Sequence, residues 1–176
     1  MSRRFVFSRS LLASALAVGL IAPTAAVSAE EAAPTLSVGD SFPVLELEDQ
    51  FEEARAVPGK AARVVFSGSK DADDDLSETL GEVAGDALRA GEIVYLSDIS
   101  RMPGLITRFV AMPALKDRDY PVTLIREEGM AGAFSATDGC YTLYTLNDGT
   151  IEGIDEACDP AALRSSLSHE APAASD

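Results

Sequence analysis

Two short apolar runs, Arg63-Val64-Val65-Phe66 and Glu92-Ile93-Val94-Tyr95-Leu96, bracket one long amphipathic segment, and this unit restricts the possible folds more than anything else in the chain. Continuous apolar runs of this length suit strands buried on both faces. Between them Leu76, Leu80, Val83, Ala84, Ala87 and Leu88 fall on one side of a 3.6-residue period, and Gly91 ends the pattern, which predicts an amphipathic helix. A strand, a helix and a strand within about 35 residues form a crossover, so the two strands run parallel in one sheet.

The remaining segments extend that sheet. Phe42 to Leu47 alternates as a strand, and Pro121 to Ile125 is a further short strand. A second helix is expected from Pro103, with Leu105, Ile106, Phe109 and Val110 facing inward and Pro113 limiting it; Met102, Phe109 and Met112 read as core. Tyr141 to Leu146 and Thr150 to Ile154 are strands joined through Asn147-Asp148-Gly149, a hairpin signal because Asn and Gly tolerate the positive φ of the turn. Asp159 then caps a last helix with Pro160 at its first position and Leu163 and Leu167 on one face. The fold class is α/β, a mixed sheet flanked by helices whose first half is parallel and second half antiparallel, in a single domain over residues 36–168.

The ends read differently. Ser2-Arg3-Arg4 precedes an apolar stretch of 11 residues from Leu11 to Ile21, then small residues ending Val27-Ser28-Ala29, the order of a signal peptide with cleavage after Ala29. A spanning helix needs roughly 20 apolar residues, so 1–29 is an export signal rather than an anchor. The paired arginines resemble a twin-arginine signal. Residues 30–35 and 169–176 are small, polar and rich in Ala and Pro, the composition of a disordered linker and tail.

Charge excludes whole classes of partner. With Arg3, Arg4 and Arg9 of the leader set aside, 11 basic residues face 29 acidic ones. Such a surface repels phosphate backbones and anionic lipid, leaving no basis for nucleic-acid binding or for membrane docking after cleavage. A protein partner remains open. One His, His169, and two Cys are too few for a histidine triad or a Cys/His zinc site, and nothing in the sequence calls for a cofactor.

The opening Val38-Gly39-Asp40-Ser41-Phe42-Pro43-Val44-Leu45-Glu46-Leu47, the strand Val64-Val65-Phe66 and Tyr120-Pro121-Val122-Thr123-Leu124-Ile125-Arg126-Glu127-Glu128-Gly129 resemble the peroxiredoxin and alkyl-hydroperoxide-reductase branch of the thioredoxin-like superfamily. The hairpin from Tyr141 to Ile154 is similar to that branch's penultimate strand pair. The resemblance implies a thioredoxin-like fold with a nucleophilic Cys where the first central strand meets the first helix. Here that loop reads Ser67-Gly68-Ser69-Lys70-Asp71 and contains no Cys. The cis-proline that the resemblance places before Tyr141 is replaced by Thr137-Asp138-Gly139-Cys140.

Three readings of Cys140 and Cys158 stand: a disulfide, favoured by the even count and an oxidising compartment, two inert thiols, or a redox centre relocated to Cys140. Strand arithmetic tests the first. With a two-residue turn at Asp148-Gly149, Cys140 lies opposite Ala157 and Cys158 points to the other face. With Gly149 in a bulged three-residue turn, Cys140 opposes Glu156 and Cys158 is its diagonal neighbour at roughly 7 Å, the outer limit for bridging.

Asp71, Asp73, Asp75 and Glu82 occupy relative positions 1, 3, 5 and 12, the spacing of a calcium loop. Leu76 stands where that loop needs Gly, and the helical period has already begun. The acids therefore read as a helix N-terminus complementing its dipole. Ser69-Lys70 as a nucleophile pair has no oxyanion device, and Asp98 ends a strand as Asp commonly does in turns. Two functions follow: an exported non-catalytic scaffold that binds a protein or small ligand, or a thiol oxidoreductase or peroxidase with its chemistry displaced to Cys140 with Cys158.

Overall fold

In the computed structural model, which describes residues 35–168, the crossover unit lies at the centre of a seven-stranded mixed sheet. The strands are β1 (Leu45–Asp49), β2 (Ala54–Val57), β3 (Arg63–Ser67), β4 (Ile93–Asp98), β5 (Thr123–Ile125), β6 (Tyr141–Asn147) and β7 (Thr150–Ala157), in the order β2-β1-β5-β4-β3-β6-β7. β3, β4 and β5 are parallel, and β1, β2, β6 and β7 are added antiparallel on either side. This is a thioredoxin-like α/β fold. The signal segment 1–29, residues 30–34 of the linker and the tail 169–176 lie outside the described residues.

Alternation along the strands divides the core into two layers. On one face α1 (Lys70–Ala90) buries Leu76, Leu80, Ala84 and Leu88 against Val65, Tyr95, Tyr141 and Leu143. Gly91 closes α1 in the left-handed region, at φ +75°. Val83, assigned to the inward side from the sequence, is 41% exposed, because the buried stripe is narrower than the apolar one. On the other face Phe42, Phe66, Phe134 and Tyr144 pack ring against ring.

The second helix departs from expectation. It runs as α2 (Gly104–Ile106), a π turn (Thr107–Ala111) and α3 (Met112–Lys116), passing through Pro113 rather than stopping there. Proline lacks an N–H and its ring crowds the carbonyl four residues back, so the wider π turn before it removes the conflict. Apolar residues line both sides of this stretch, and Leu105, Ile106, Phe109 and Val110 are on the outward side, at 73, 43, 66 and 50% exposure. Met102, Met112 and Leu115 take the inward positions instead. The last helix, α4 (Pro160–Ser168), is capped as expected, Asp159 Oδ1 accepting from Ala161 and Ala162 N–H at 2.9 and 2.8 Å. Arg63 reaches its far end, donating to the Ser166 and Leu167 carbonyls at 3.3 and 2.9 Å.

Candidate functional site

The loop from Ser67 to Asp71 stands at the carboxyl end of β3, where parallel sheets commonly carry their chemistry. Ser69 is the N-cap of α1 and accepts from Ala72 N–H at 3.3 Å, while its Oγ also accepts from Gly139 N–H at 3.1 Å. The Ser67 hydroxyl donates to Ser69 O at 3.0 Å, and Arg101 donates to Gly68 O at 3.3 Å. Lys70 is paired with Asp74 one turn on, and this exposed pair adds little to stability. A Ser69-Lys70 nucleophile pair is therefore not assembled: the hydroxyl caps the helix and the amine faces a carboxylate.

Asp71, Asp73 and Asp75 are alternate residues of α1, so Asp73 leaves the axis about 200° from each of the other two, and the three do not converge on one cation. Asp71 and Asp75 point to solvent and Asp73 is buried. No group of three or more His, Cys, Asp or Glu side chains gathers as a metal site among the described residues. The calcium spacing of Asp71, Asp73, Asp75 and Glu82 is thus a property of the helical sequence, not of a loop.

Asp73 is the hub of a buried polar cluster at this end of the sheet. Tyr95 and Tyr141 donate to its Oδ1, the latter at 3.3 Å, and Ser97 donates to Oδ2 at 3.1 Å. The two tyrosine hydroxyls are themselves 3.2 Å apart. Burial raises the Asp73 carboxyl above its ordinary range, opposed by the positive charge of Arg118 and the Ser97 hydroxyl. Burial, followed by the charge of Asp73, pushes the Tyr141 phenol up. The Arg118 guanidinium carbon lies 5.8 Å from the centre of the Tyr95 ring. Between Asp73, Lys70, Arg118 and the apolar side of α2 and α3 lies a recess of about 110 Å³. It holds a few atoms, well short of the roughly 300 Å³ of ordinary ligand pockets. Sequence reasoning missed Tyr95, Ser97, Tyr141 and Arg118 as partners of Asp73. The available signal was two tyrosines inside apolar strands, whose hydroxyls need partners when buried.

Cys140 and Cys158 form a disulfide, with Cα atoms 4.1 Å apart. Neither strand register derived from the sequence brings them together. The turn is the two-residue Asp148-Gly149, with Asn147 opposite Thr150 and Leu146 opposite Ile151, but the register shifts so that Thr145 pairs with Gly153 and Tyr141 with Ala157. The extra residue, Glu152, moves Cys158 one place along and sets it opposite Cys140. Tyr141 turns its ring toward α1, so by alternation Cys140 leaves on the opposite face of the sheet. Cys140 is buried and Cys158 exposed. Among the described residues the cis peptide is Val57–Pro58, and Gly139, at φ +75°, fills the loop ahead of β6. Asp98 serves its turn, accepting from Ser100 N–H at 2.9 Å.

No protein-family model matches the chain, and no curated protein matches it in sequence. Solved structures do resemble it. A hypothetical protein of Sinorhizobium meliloti 1021 superposes with a TM-score of 0.51 at 16% identity, covering 76% of this chain and 83% of that one. A thio-disulfide isomerase of Thermus thermophilus gives 0.49 at 20% identity, over 75% and 95% of the two chains. A peroxiredoxin-like protein of Aquifex aeolicus gives 0.45 at 13% identity, over 77% and 88%. Identities at this level speak to fold alone.

Proposed function

We propose that the protein is an exported, non-catalytic scaffold on the thioredoxin-like fold, acting by binding rather than by thiol chemistry. The observation that carries this reading is the head of α1. The place where a helix N-terminus would lower a thiol pKa is held by Ser69, whose oxygen is occupied by Ala72 and Gly139 N–H. A sulfur entering that turn would also meet the exposed acids Asp71, Asp74 and Asp75, whose charge opposes a thiolate. Both cysteine sulfurs of the chain are joined at the base of the β6–β7 hairpin. A bridge of this kind suits the oxidising compartment that the leader implies. The outward-facing Leu105, Ile106, Phe109 and Val110 support a binding role, because a contiguous exposed apolar strip commonly marks an interaction surface.

One observation favours the redox alternative: Cys158 is exposed, and Gly139, bonded to the N-cap Ser69, is adjacent to Cys140. Assays of peroxide consumption and of disulfide reduction, with dithiothreitol as the electron source, separate the two. The scaffold reading expects background rates from the wild type and from Cys140→Ser alike. Multiple turnover by the wild type that vanishes in Cys140→Ser would establish the redox centre instead.

A further inference from the structure

A cleft of about 520 Å³ opens between the carboxyl ends of β4 and β5 and the helical stretch from α2 to α3. Its walls carry Arg108, Lys116 and Arg126 against a single carboxylate, Glu52, and Met102 and Met112 provide an apolar surface. In so acidic a chain this local excess of cations is out of character. Five of the 11 basic residues in the described region form ion pairs: Arg55, Lys70, Arg89, Arg101 and Arg164. Arg63 is buried against the end of α4, and Arg118 lies beside Tyr95 and Asp73. Four remain without a carboxylate partner among the described residues. Lys60 stands elsewhere, and the other three line this one cleft.

We infer that this cleft binds small organic anions with an apolar body, their negative charge held by Arg108, Lys116 and Arg126 and their apolar part lying on Met102 and Met112. The volume suits a small molecule. The position fits as well, since crevices outside the carboxyl ends of parallel strands are the usual ligand site of such sheets. Arg108, Met112 and Lys116 succeed one another at intervals of four residues along the helical stretch, so an apolar thioether separates two cations. Methionine adapts its shape to varied apolar ligands. Acids more than about 8 Å from the cleft do little to cancel the local field, because charges beyond that distance are largely screened at physiological ionic strength. The inference goes beyond the scaffold reading and does not depend on it, since anion binding here requires neither the presence nor the absence of thiol turnover.

Titration of the ¹⁵N-labelled protein with octanoate, followed by amide chemical shifts, tests it. Citrate serves as the charge-only probe and 1-octanol as the apolar-only probe. Saturable octanoate shifts are expected at Ile99 to Met102, Thr107 to Lys116 and Arg126, weakening as salt is raised. Lys116→Gln with Arg126→Gln should raise the apparent Kd by about tenfold, whereas Lys60→Gln should leave it unchanged. Citrate and 1-octanol should each bind more weakly than octanoate. If the double variant does not fold, as judged from its amide spectrum, Lys116→Gln alone carries the comparison through a smaller rise. Absence of saturable shifts, shifts centred elsewhere, equal binding of 1-octanol, or an unchanged Kd in the folded variant would each overturn the assignment.

Discussion

Gly139 N–H donates to Ser69 Oγ across 3.1 Å, tying the loop before β6 to the N-cap of α1. One hydroxyl thus satisfies a helix donor and a loop donor together. Ser69→Ala should remove the cap, worth about 1 kcal/mol, and leave the Gly139 N–H without its partner, at a further cost of about 1 kcal/mol or more. Ser69→Asn, which keeps a capping oxygen, should recover most of the loss. Urea unfolding reads both. An Ala variant as stable as the wild type would show that the shared bond is not a structural tie.

The Cys140–Cys158 bridge spans 18 positions, and the loop-entropy account gives such a closure about 3 kcal/mol. The unfolding midpoint should therefore fall on reduction, with the same drop in a Cys140→Ser/Cys158→Ser variant that no longer responds to reductant. Thiol titration of unreduced, unfolded protein should find no free sulfhydryl. Two titratable thiols would contradict the bridge directly.

Why that bridge escaped the strand arithmetic is instructive. One of its two alternatives had the right turn, Asp148-Gly149, but both assumed unbroken alternation beyond the turn. Ile151 and Ile154 pack in the same layer although they are three residues apart, an odd spacing that an unbulged strand cannot give. That signal was present in the sequence. The crossover from Arg63 to Leu96 was legible because buried strands and an amphipathic helix each impose a period on a single segment. The outward turn of Phe109 and Val110 was not, because Met102, Met112 and Leu115 offer a second apolar side and the sequence does not say which side the sheet covers. The partners of Asp73 come from β4, β6 and the segment after α3, and the cations of the anion cleft come from the helical stretch and the segment after β5. No local pattern records which side chains meet across a sheet.

The buried Asp73 makes a prediction about pH. Its folded-state carboxyl lies above the ordinary 3.8, chiefly through burial. As pH rises past that ordinary value, the unfolded chain ionises first while the folded state resists. This contribution to stability is therefore greatest in acid and declines through the window up to the folded-state pKa. Asp73→Asn removes the titration while keeping an oxygen acceptor for the tyrosine hydroxyls. The melting temperature of the variant should gain on that of the wild type from about pH 4 toward neutrality. Each 1 kcal/mol of gain should appear as about 3 °C. Calorimetry at a series of pH values measures it, and a difference independent of pH would refute the assignment.

Gly68 holds the same loop by having no side chain. A Cβ built there would come within 2.6 Å of Ala136 Cβ, closer than such carbons approach, and 3.4 Å from Phe66 Cε1. The backbone at Gly68 is outside the left-handed region, so the demand for glycine is one of space and not of φ. Gly68→Ala should therefore push β3 and the loop ahead of β6 apart, at the cost of overpacking, about 1–3 kcal/mol. The remedy follows from the same contact: Ala136→Gly removes the atom that the new Cβ would strike. Alone, Ala136→Gly should cost about 0.5–1 kcal/mol through the greater freedom of glycine in the unfolded chain. In the double variant the clash is absent, so the two changes should together cost less than the sum of their separate effects, by about 1 kcal/mol or more. A double-mutant cycle in urea measures this coupling. Strict additivity would mean that the loop relaxes away from the contact, and would show that the approach of Gly68 to Ala136 does not hold Ser69 beside Gly139.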